Sequence, residues 1–501
     1  MTLRASSLSQ SRRLSRWTGL LLVIAASIGV AVAGGRGMML FVEHGRTAIA
    51  FPFTLNYGEG PLLDQTMRLT RGEPLYSSGL SLPPYTITNY PPVYLMLQAP
   101  FAAANGAAFW YGRAIALAAT IAAALMLGVL VHALTGDWLA GGAAAISLIA
   151  VPYIFSWSAL MRIDSLALAL SLAGLCVIAR GRGGVGSIVG CIALLTAAIY
   201  TRQTYALAAP LAAFCWLWTR HGALRAWGFA VGLGCVVLAI FIVALVATRG
   251  GFFTHVITAN ANALDPTLLA FYTDEIARHL PILAIGAAIG FGVGALDVIV
   301  GRPGIFLAAP YAVGALISAA TIAKIGSDVN YLFEASAAAC LLWGILIAAA
   351  RRVAVVRAGV LAALALQLVW AVDLSVAKYD PLLTERLVKR EQTAAIASFL
   401  ETHDGVVLAD EHMGELVISS RAIVFQPFEY SQLARDGTWD QAPFLDALIS
   451  GAYPYVLIYQ PYRNPLLRYE RWTPEMLRIV NEYFRPEFQS GETTVYRHVG
   501  S

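Results

Sequence analysis

The sequence predicts a mostly α-helical, polytopic membrane protein of about eleven transmembrane helices, with a small α/β domain at its C-terminal end. Three observations predict it. Of 501 residues, 58% are hydrophobic and 13% charged, and the mean hydropathy of +0.66 exceeds what a soluble core of this size needs. The apolar residues fall in runs long enough to cross roughly 30 Å of hydrocarbon as helix. In the tail, from about residue 385, the runs shorten to strand length.

In chain order the long runs lie near residues 17–35, 108–134, 138–157, 165–180, 184–200, 203–219, 227–248, 281–300, 303–322, 331–350 and 354–373. Arg4, Arg12, Arg13 and Arg16 precede the first. Arg180 with Arg182, Arg220 with Arg225, Arg302, and Arg351 with Arg352 and Arg357 fill alternate loops. Cytoplasmic loops collect arginine, so the N-terminus is expected inside and the C-terminus outside. Ala31-Val32-Ala33 also fits a signal-peptidase site, and cleavage there leaves the remaining topology unchanged. The Ala/Gly/Arg bias points to a bacterial inner membrane. The net charge of +4 is small, so its distribution matters more than its sum, and no nucleic-acid partner is expected. The five cysteines sit in apolar runs without metal-ligand spacing and read as buried hydrophobes.

This topology puts the large loops outside: 36–107, 157–164, 249–280, 323–330 and everything after 374. The transmembrane part is expected over residues 1–380 and the extracytoplasmic α/β part over 381–501. In the latter, a helical stretch from Glu391 to Glu401 precedes the strand-like segments 405–409 and 455–459. Function is therefore sought on the outer face.

The first outer loop carries Tyr57-Gly58-Glu59-Gly60-Pro61-Leu62-Leu63-Asp64 and, further on, Asn89-Tyr90-Pro91-Pro92. Glu59 lies between two glycines that allow a tight turn, and Asp64 follows with Arg68 and Arg71. A carboxylate at the membrane boundary can act as general base, and nearby arginines can hold a phosphate. Equally, Glu59 can simply favour the start of a helix near Pro61. Arg162 and Asp164 border the fourth span, where they either pair with each other or bind something polar. Thr201-Arg202-Gln203-Thr204 links the fifth and sixth spans, and Lys324, Asp328, Asn330 and Glu334 border the tenth. The 249–280 loop, with His255, Asn260, Asn262, Asp265, Tyr272, Asp274, Glu275, Arg278 and His279, could bind a sugar or a divalent metal cation; histidines so far apart read more simply as surface residues. Asp410-Glu411-His412 in the tail reads as a solvated loop that could touch an acceptor.

The order of these features resembles the GT-C glycosyltransferases that use polyprenyl-phosphate sugars, among them the protein O-mannosyltransferases and the lipid A aminoarabinose transferases. The resemblance covers roughly residues 17–373. The family's acidic pair falls on Gly58-Glu59, so its first acid is missing here. The Lys-Pro-Pro-Leu-Tyr stretch falls on Asn89-Tyr90-Pro91-Pro92-Val93-Tyr94, with Tyr90 where the lysine stands. Arg162 with Asp164, Arg202, and Asn330-Tyr331 match three further positions.

The resemblance implies transfer of a sugar from a polyprenyl-phosphate donor to a lipid, glycan or protein acceptor. Glu59 or Asp64 is expected as the catalytic base, with inversion. Arg68, Arg162, Arg202 and Lys324 are expected on the donor phosphate, and Asp164, Asn89, Tyr90, Tyr94, Asn330 and Tyr331 on substrate. The polyprenyl tail is expected between spans, among membrane lipids, although the small residues at 118–124 and 140–145 read first as helix packing. A flippase or transporter of lipid-linked saccharides is the alternative. Against it, the charges gather at span ends on one face and the two halves show no paired interrupted helices. A non-catalytic envelope scaffold is a further alternative.

Overall fold

The computed structural model describes residues 2–181, 183–299, 304–464 and 466–500. Arg182 and Arg302, used above for orientation, lie outside them, as do the side chains of Arg4, Arg12 and Arg13. Each apolar run named above coincides with helix. The helices are α1 (Thr2–Ala50), α2 (Glu59–Thr70), α3 (Val93–Asn105), α4 (Trp110–Thr135), α5 (Trp138–Ala150), α6 (Pro152–Trp157), α7 (Asp164–Arg180), α8 (Val185–Ile199), α9 (Ala208–His221) and α10 (Ala223–Ala247). After the single turn α11 (Gly251–Phe253) come α12 (Pro266–His279), α13 (Pro281–Ile299), α14 (Ile305–Ala320), α15 (Phe333–Ala349) and α16 (Ala354–Leu374).

Among the described residues, six helices are individually long and apolar enough to cross a membrane, and a seventh span arises if α12 and α13, which meet at 92°, count as one. The chain is a multi-pass membrane protein. Helix α15 is buried on nearly every side, whereas α10 turns Leu238, Ile242, Val243 and Val246 outward, as a lipid-facing helix should.

Several boundaries differ from the sequence reading for local reasons. The first outer loop begins at Phe51 rather than 36, because α1 continues to Ala50 packed along α16. There Arg36 pairs with Asp373 at 2.6 Å, which removes the cost that a lone arginine would impose on the helix. The third span breaks at Val151, since Pro152 has no N–H to continue α5. The turn between α4 and α5 uses Gly136 in the left-handed region (φ +71°) as helix stop. Asp137 then accepts from the Leu139 and Ala140 N–H groups at 3.0 and 3.1 Å as N-cap. Gly128 and Gly141 let these two helices touch backbone to backbone: a Cβ on Gly141 would stand 2.5 Å from the Gly128 carbonyl oxygen. Here the small residues serve packing.

The tail adds α17 (Asp380–Val388), α18 (Arg390–Thr402), β1 (Val407–Ala409), α19 (Met413–Ile418), α20 (Pro427–Arg435), α21 (Ala442–Ile449), β2 (Tyr455–Tyr459), α22 (Leu467–Arg471), α23 (Pro474–Tyr483), β3 (Phe484–Ser490) and β4 (Thr493–His498). Its sheet runs β1-β2-β4-β3, with β1 parallel to β2 and the other pairs antiparallel. The tail interlocks with the first outer loop. Tyr85 donates to the Val424 carbonyl at 2.7 Å and accepts from the Gln426 N–H at 2.9 Å. Its ring lies among Phe425, Tyr430, Trp439 and Phe444 at centroid distances of 5.4–6.4 Å, so one aromatic core serves both segments.

Candidate active site

At the end of the bundle where the loops and the tail meet lies a polar cavity of about 200 Å³. Its walls come from the first outer loop (Asn56, Tyr57, Gly58, Gln65, Asn89, Tyr90), the α6–α7 turn (Trp157, Arg162), the loop after α11 (Asn260, Asn262), the segment before α15 (Lys324, Gly326, Asp328, Asn330, Tyr331) and the tail (Phe428, Glu429). Residues hundreds of positions apart thus share one space.

Glu59 stands behind this cavity and does not line it. Its carboxylate is fully buried and accepts from Arg113 at both oxygens, at 2.9 and 2.8 Å. It also accepts from the backbone N–H groups of Met161 at 2.7 Å, Leu55 at 2.7 Å and Asn56 at 3.3 Å. Burial pushes this carboxyl up, but the guanidinium and the backbone donors outweigh it and hold it below the usual carboxylate range. Arg113 spends its three remaining N–H groups on the carbonyls of Ala48, Phe51 and Phe53 at 2.6–2.8 Å. Glu59, expected as the base, is therefore the anchor that holds the start of α2 to the end of α1. Asp64 lines no part of the cavity either. Burial pushes its carboxyl up to about 6, against the pull of Arg68 and Arg71.

Of the four cations expected on phosphate, two reach the cavity. Arg162 lies over the Trp157 ring at 5.1 Å and donates to Asn56 Oδ1 at 3.5 Å, and its Nε has no hydrogen-bond partner. Lys324 donates to Asn260 at Oδ1 (2.7 Å) and at the carbonyl oxygen (3.1 Å), beside the Tyr331 ring. Burial lowers its pKa. Among the described residues, neither cation is in a salt bridge. The other two lie elsewhere. Arg68 turns away to the Pro74 carbonyl and Thr86. Arg202 is bound to Asp164 behind the wall and covers the other side of Tyr331 at 4.4 Å.

Asp164 does not line the cavity but shapes it: besides Arg202 it accepts from Trp157 Nε1 at 2.7 Å and Asn330 Nδ2 at 3.1 Å, fixing two cavity residues. Asn89, Tyr90, Asn330 and Tyr331, expected on substrate, line the cavity. Tyr94 is not; it is fully buried and donates to the Gly112 carbonyl at 2.9 Å.

The sequence reading gave no role to Glu429, which has no salt bridge. It accepts from the Tyr57 hydroxyl at 3.0 Å and, more weakly, from Asn89 Nδ2 at 3.4 Å. Asp328 caps the Val329 N–H at 2.7 Å. Burial raises both carboxyls above their ordinary values. Asp410-Glu411-His412 is not a solvated loop: all three residues are buried. Arg471 meets Glu411 at 2.7 Å, and Arg386 binds the same carboxylate. His255 likewise is structural, its Nδ1 accepting from the Thr88 N–H at 2.9 Å. Among the described residues, no three His, Cys, Asp or Glu side chains gather as a metal site requires.

No family model and no curated protein matches the sequence. Solved structures do. ArnT from Cupriavidus metallidurans bound to undecaprenyl phosphate aligns over 93% of this chain and 98% of its own, with TM-score 0.54 and 13% identity. Its apo form aligns over 92% and 97%, at 0.55 and 14%. The apo oligosaccharyltransferase of Archaeoglobus fulgidus aligns over 97% of this chain and 75% of its own, at 0.54 and 11%. The fold is that of the GT-C glycosyltransferases. At these identities the likeness is one of architecture, and the GT-C frame here carries the cavity where its loops and tail converge.

Proposed function

We propose that the protein transfers a sugar from a polyprenyl-phosphate carrier to an acceptor on the outer face of a bacterial inner membrane, with its N-terminus in the cytoplasm and its tail outside. One observation carries this reading: Arg162 and Lys324 face a single cavity without a carboxylate partner, while two carboxylates free of salt bridges, Asp328 and Glu429, share the same walls. Cations left unpaired in a buried space suit an anionic ligand that brings its own charge. The undecaprenyl phosphate held by the similar ArnT structure supports the class of carrier.

The chain of the carrier has a seat nearby. An apolar cavity of about 450 Å³ lies between α13, α14 and α15 and begins at Leu332, the residue after Tyr331 of the polar wall. Phosphate at the polar cavity and isoprenoid in the apolar one would set the anomeric carbon beside Asn330 and Tyr331. Breaking its bond to phosphate leaves charge on the phosphate oxygen, which Arg162 and Lys324 meet. In this reading Glu59 anchors the loop, and the base comes from another carboxylate. The acceptor is a lipid, glycan or protein group that enters from outside.

Mass spectrometry of lipids from a strain lacking the gene tests the proposal. A polyprenyl-phosphate sugar should accumulate, disappear on complementation with the wild type and persist with Arg162→Ala. Unchanged lipid-linked sugars would overturn it.

A further inference from the structure

Glu59 and Asp164, both buried, stand behind the polar cavity, Asp328 and Glu429, both half-buried, stand in its wall, and the first two are already committed. Glu59 accepts from Arg113 and three backbone N–H groups, and Asp164 accepts from Arg202, Trp157 and Asn330. Position 58 offers no room for a further acid: a Cβ there would lie 1.5 Å from Arg162 Nη1, so the guanidinium occupies the space a side chain would fill. Asp328 belongs to the segment that carries Lys324, and the charge of Arg162 acts on it. It sits with the phosphate-binding cations.

Glu429 differs on each count. It comes from α20 in the tail, and its neighbours on the cavity wall are neutral: the Tyr57 hydroxyl and the Asn89 amide each donate to one oxygen. These donors orient the carboxylate and leave lone pairs for the cavity. The guanidinium of Arg471, whose field reaches it, is held by Glu411 at 2.7 Å and lies over the Tyr57 ring at 4.6 Å. A carboxylate that is half-buried, oriented and free of a salt bridge keeps its basicity.

We propose that Glu429, supplied by the C-terminal tail, is the general base that activates an acceptor hydroxyl; this rests on the transferase reading above. The hydroxyl proton passes to a Glu429 oxygen as the hydroxyl oxygen bonds to the anomeric carbon. The bond from that carbon to the phosphate oxygen breaks, its electron pair leaves with the polyprenyl phosphate, and Glu429 returns the proton to water. A hydroxyl acceptor fits because, unlike a free amine, it is a weak nucleophile until deprotonated. Tyr57 and Asn89 are positioning residues.

The test uses full-length protein, polyprenyl-phosphate sugars extracted from the deletion strain as donor, and outer-face membrane material of that strain as acceptor. Release of polyprenyl phosphate is followed by mass spectrometry, and binding of undecaprenyl phosphate is measured separately. Glu429→Gln should lower kcat about 10²–10⁴-fold with undecaprenyl phosphate affinity unchanged, which also shows that the variant is folded. Tyr57→Phe removes a donor to the carboxylate, so the acid limb of the rate profile should move to higher pH.

Wild-type turnover in Glu429→Gln, or turnover lost in Asp328→Asn but kept in Glu429→Gln, would overturn the assignment while leaving the transferase reading intact. If Glu429→Gln fails to fold, an unmoved acid limb in Tyr57→Phe overturns it. A wild type that neither binds undecaprenyl phosphate nor releases it would sink the transferase reading itself.

Discussion

Glu59, fully buried, and Glu429, half-buried in the cavity wall, both stand beside the loop that follows α1, yet they meet opposite surroundings. Around Glu59 every partner is supplied: the five N–H groups of Arg113 and both carboxylate oxygens are used within the protein. Around Glu429 the described residues supply two neutral side-chain donors and no salt bridge. The same division separates the arginines, since Arg202 is bound to Asp164 while Arg162 has a buried Nε without a partner. Charge that is fully matched holds loops in place, and charge left unmatched is available to a ligand. Residue type alone does not tell the two apart.

The comparison can be broken most severely at the matched cluster. Arg113→Ala leaves Glu59 buried without its cation and should cost about 3–5 kcal/mol, read as a large fall in thermal stability in detergent. Glu59→Gln should act in the same direction, since an amide cannot accept from all five donors. A Glu59→Gln protein of normal stability that lacks only turnover would return the base role to Glu59. At the unmatched cluster the opposite pattern is expected. Arg162→Ala should reduce undecaprenyl phosphate affinity roughly 10–100-fold, about 1.4–2.8 kcal/mol, and leave thermal stability nearly unchanged.

Gly58→Ala sharpens the contrast with a single methyl group. Gly58 has ordinary helical torsions (φ −73°, ψ −8°), so alanine brings no backbone strain, but its Cβ must displace Arg162. Binding of undecaprenyl phosphate should weaken about tenfold with the fold retained. An effect of opposite sign concerns Asp64. Its folded pKa of about 6 stands above the ordinary 3.8, so its contribution to stability is greatest below the unfolded value and is lost as pH rises through the folded one. Asp64→Asn should therefore stabilise the protein at pH 7.5 by up to about 3 kcal/mol. In thermal melts that advantage should vanish near pH 4.

The apolar helices were legible because membrane helices advertise themselves in composition. Asn89, Tyr90, Arg162, Lys324, Asn330 and Tyr331 were legible too, since polar residues at span ends have few other reasons to be there. Arg113 could have been found by the same rule: it lies three residues into the apolar helix α4 and needed a partner. Whether a charge is matched is another question, and it depends on contacts between distant segments. Tyr57 and Glu429 are 372 residues apart, and no local pattern links them. The acidic run at 410–412 looked solvated because its partners, Arg386 and Arg471, also stand apart from it in sequence.

The aromatic cluster around Tyr85 has a consequence for biosynthesis. Its remaining rings, from Phe425 to Phe444, leave the ribosome some 340 residues after Tyr85 does. Until they emerge, the segment that carries Tyr85 lacks its aromatic cover, and the polar cavity lacks the wall that Phe428 and Glu429 supply. A polypeptide halted before that point would hold its apolar helices but an open cavity, so the cavity is completed only when the tail has been made.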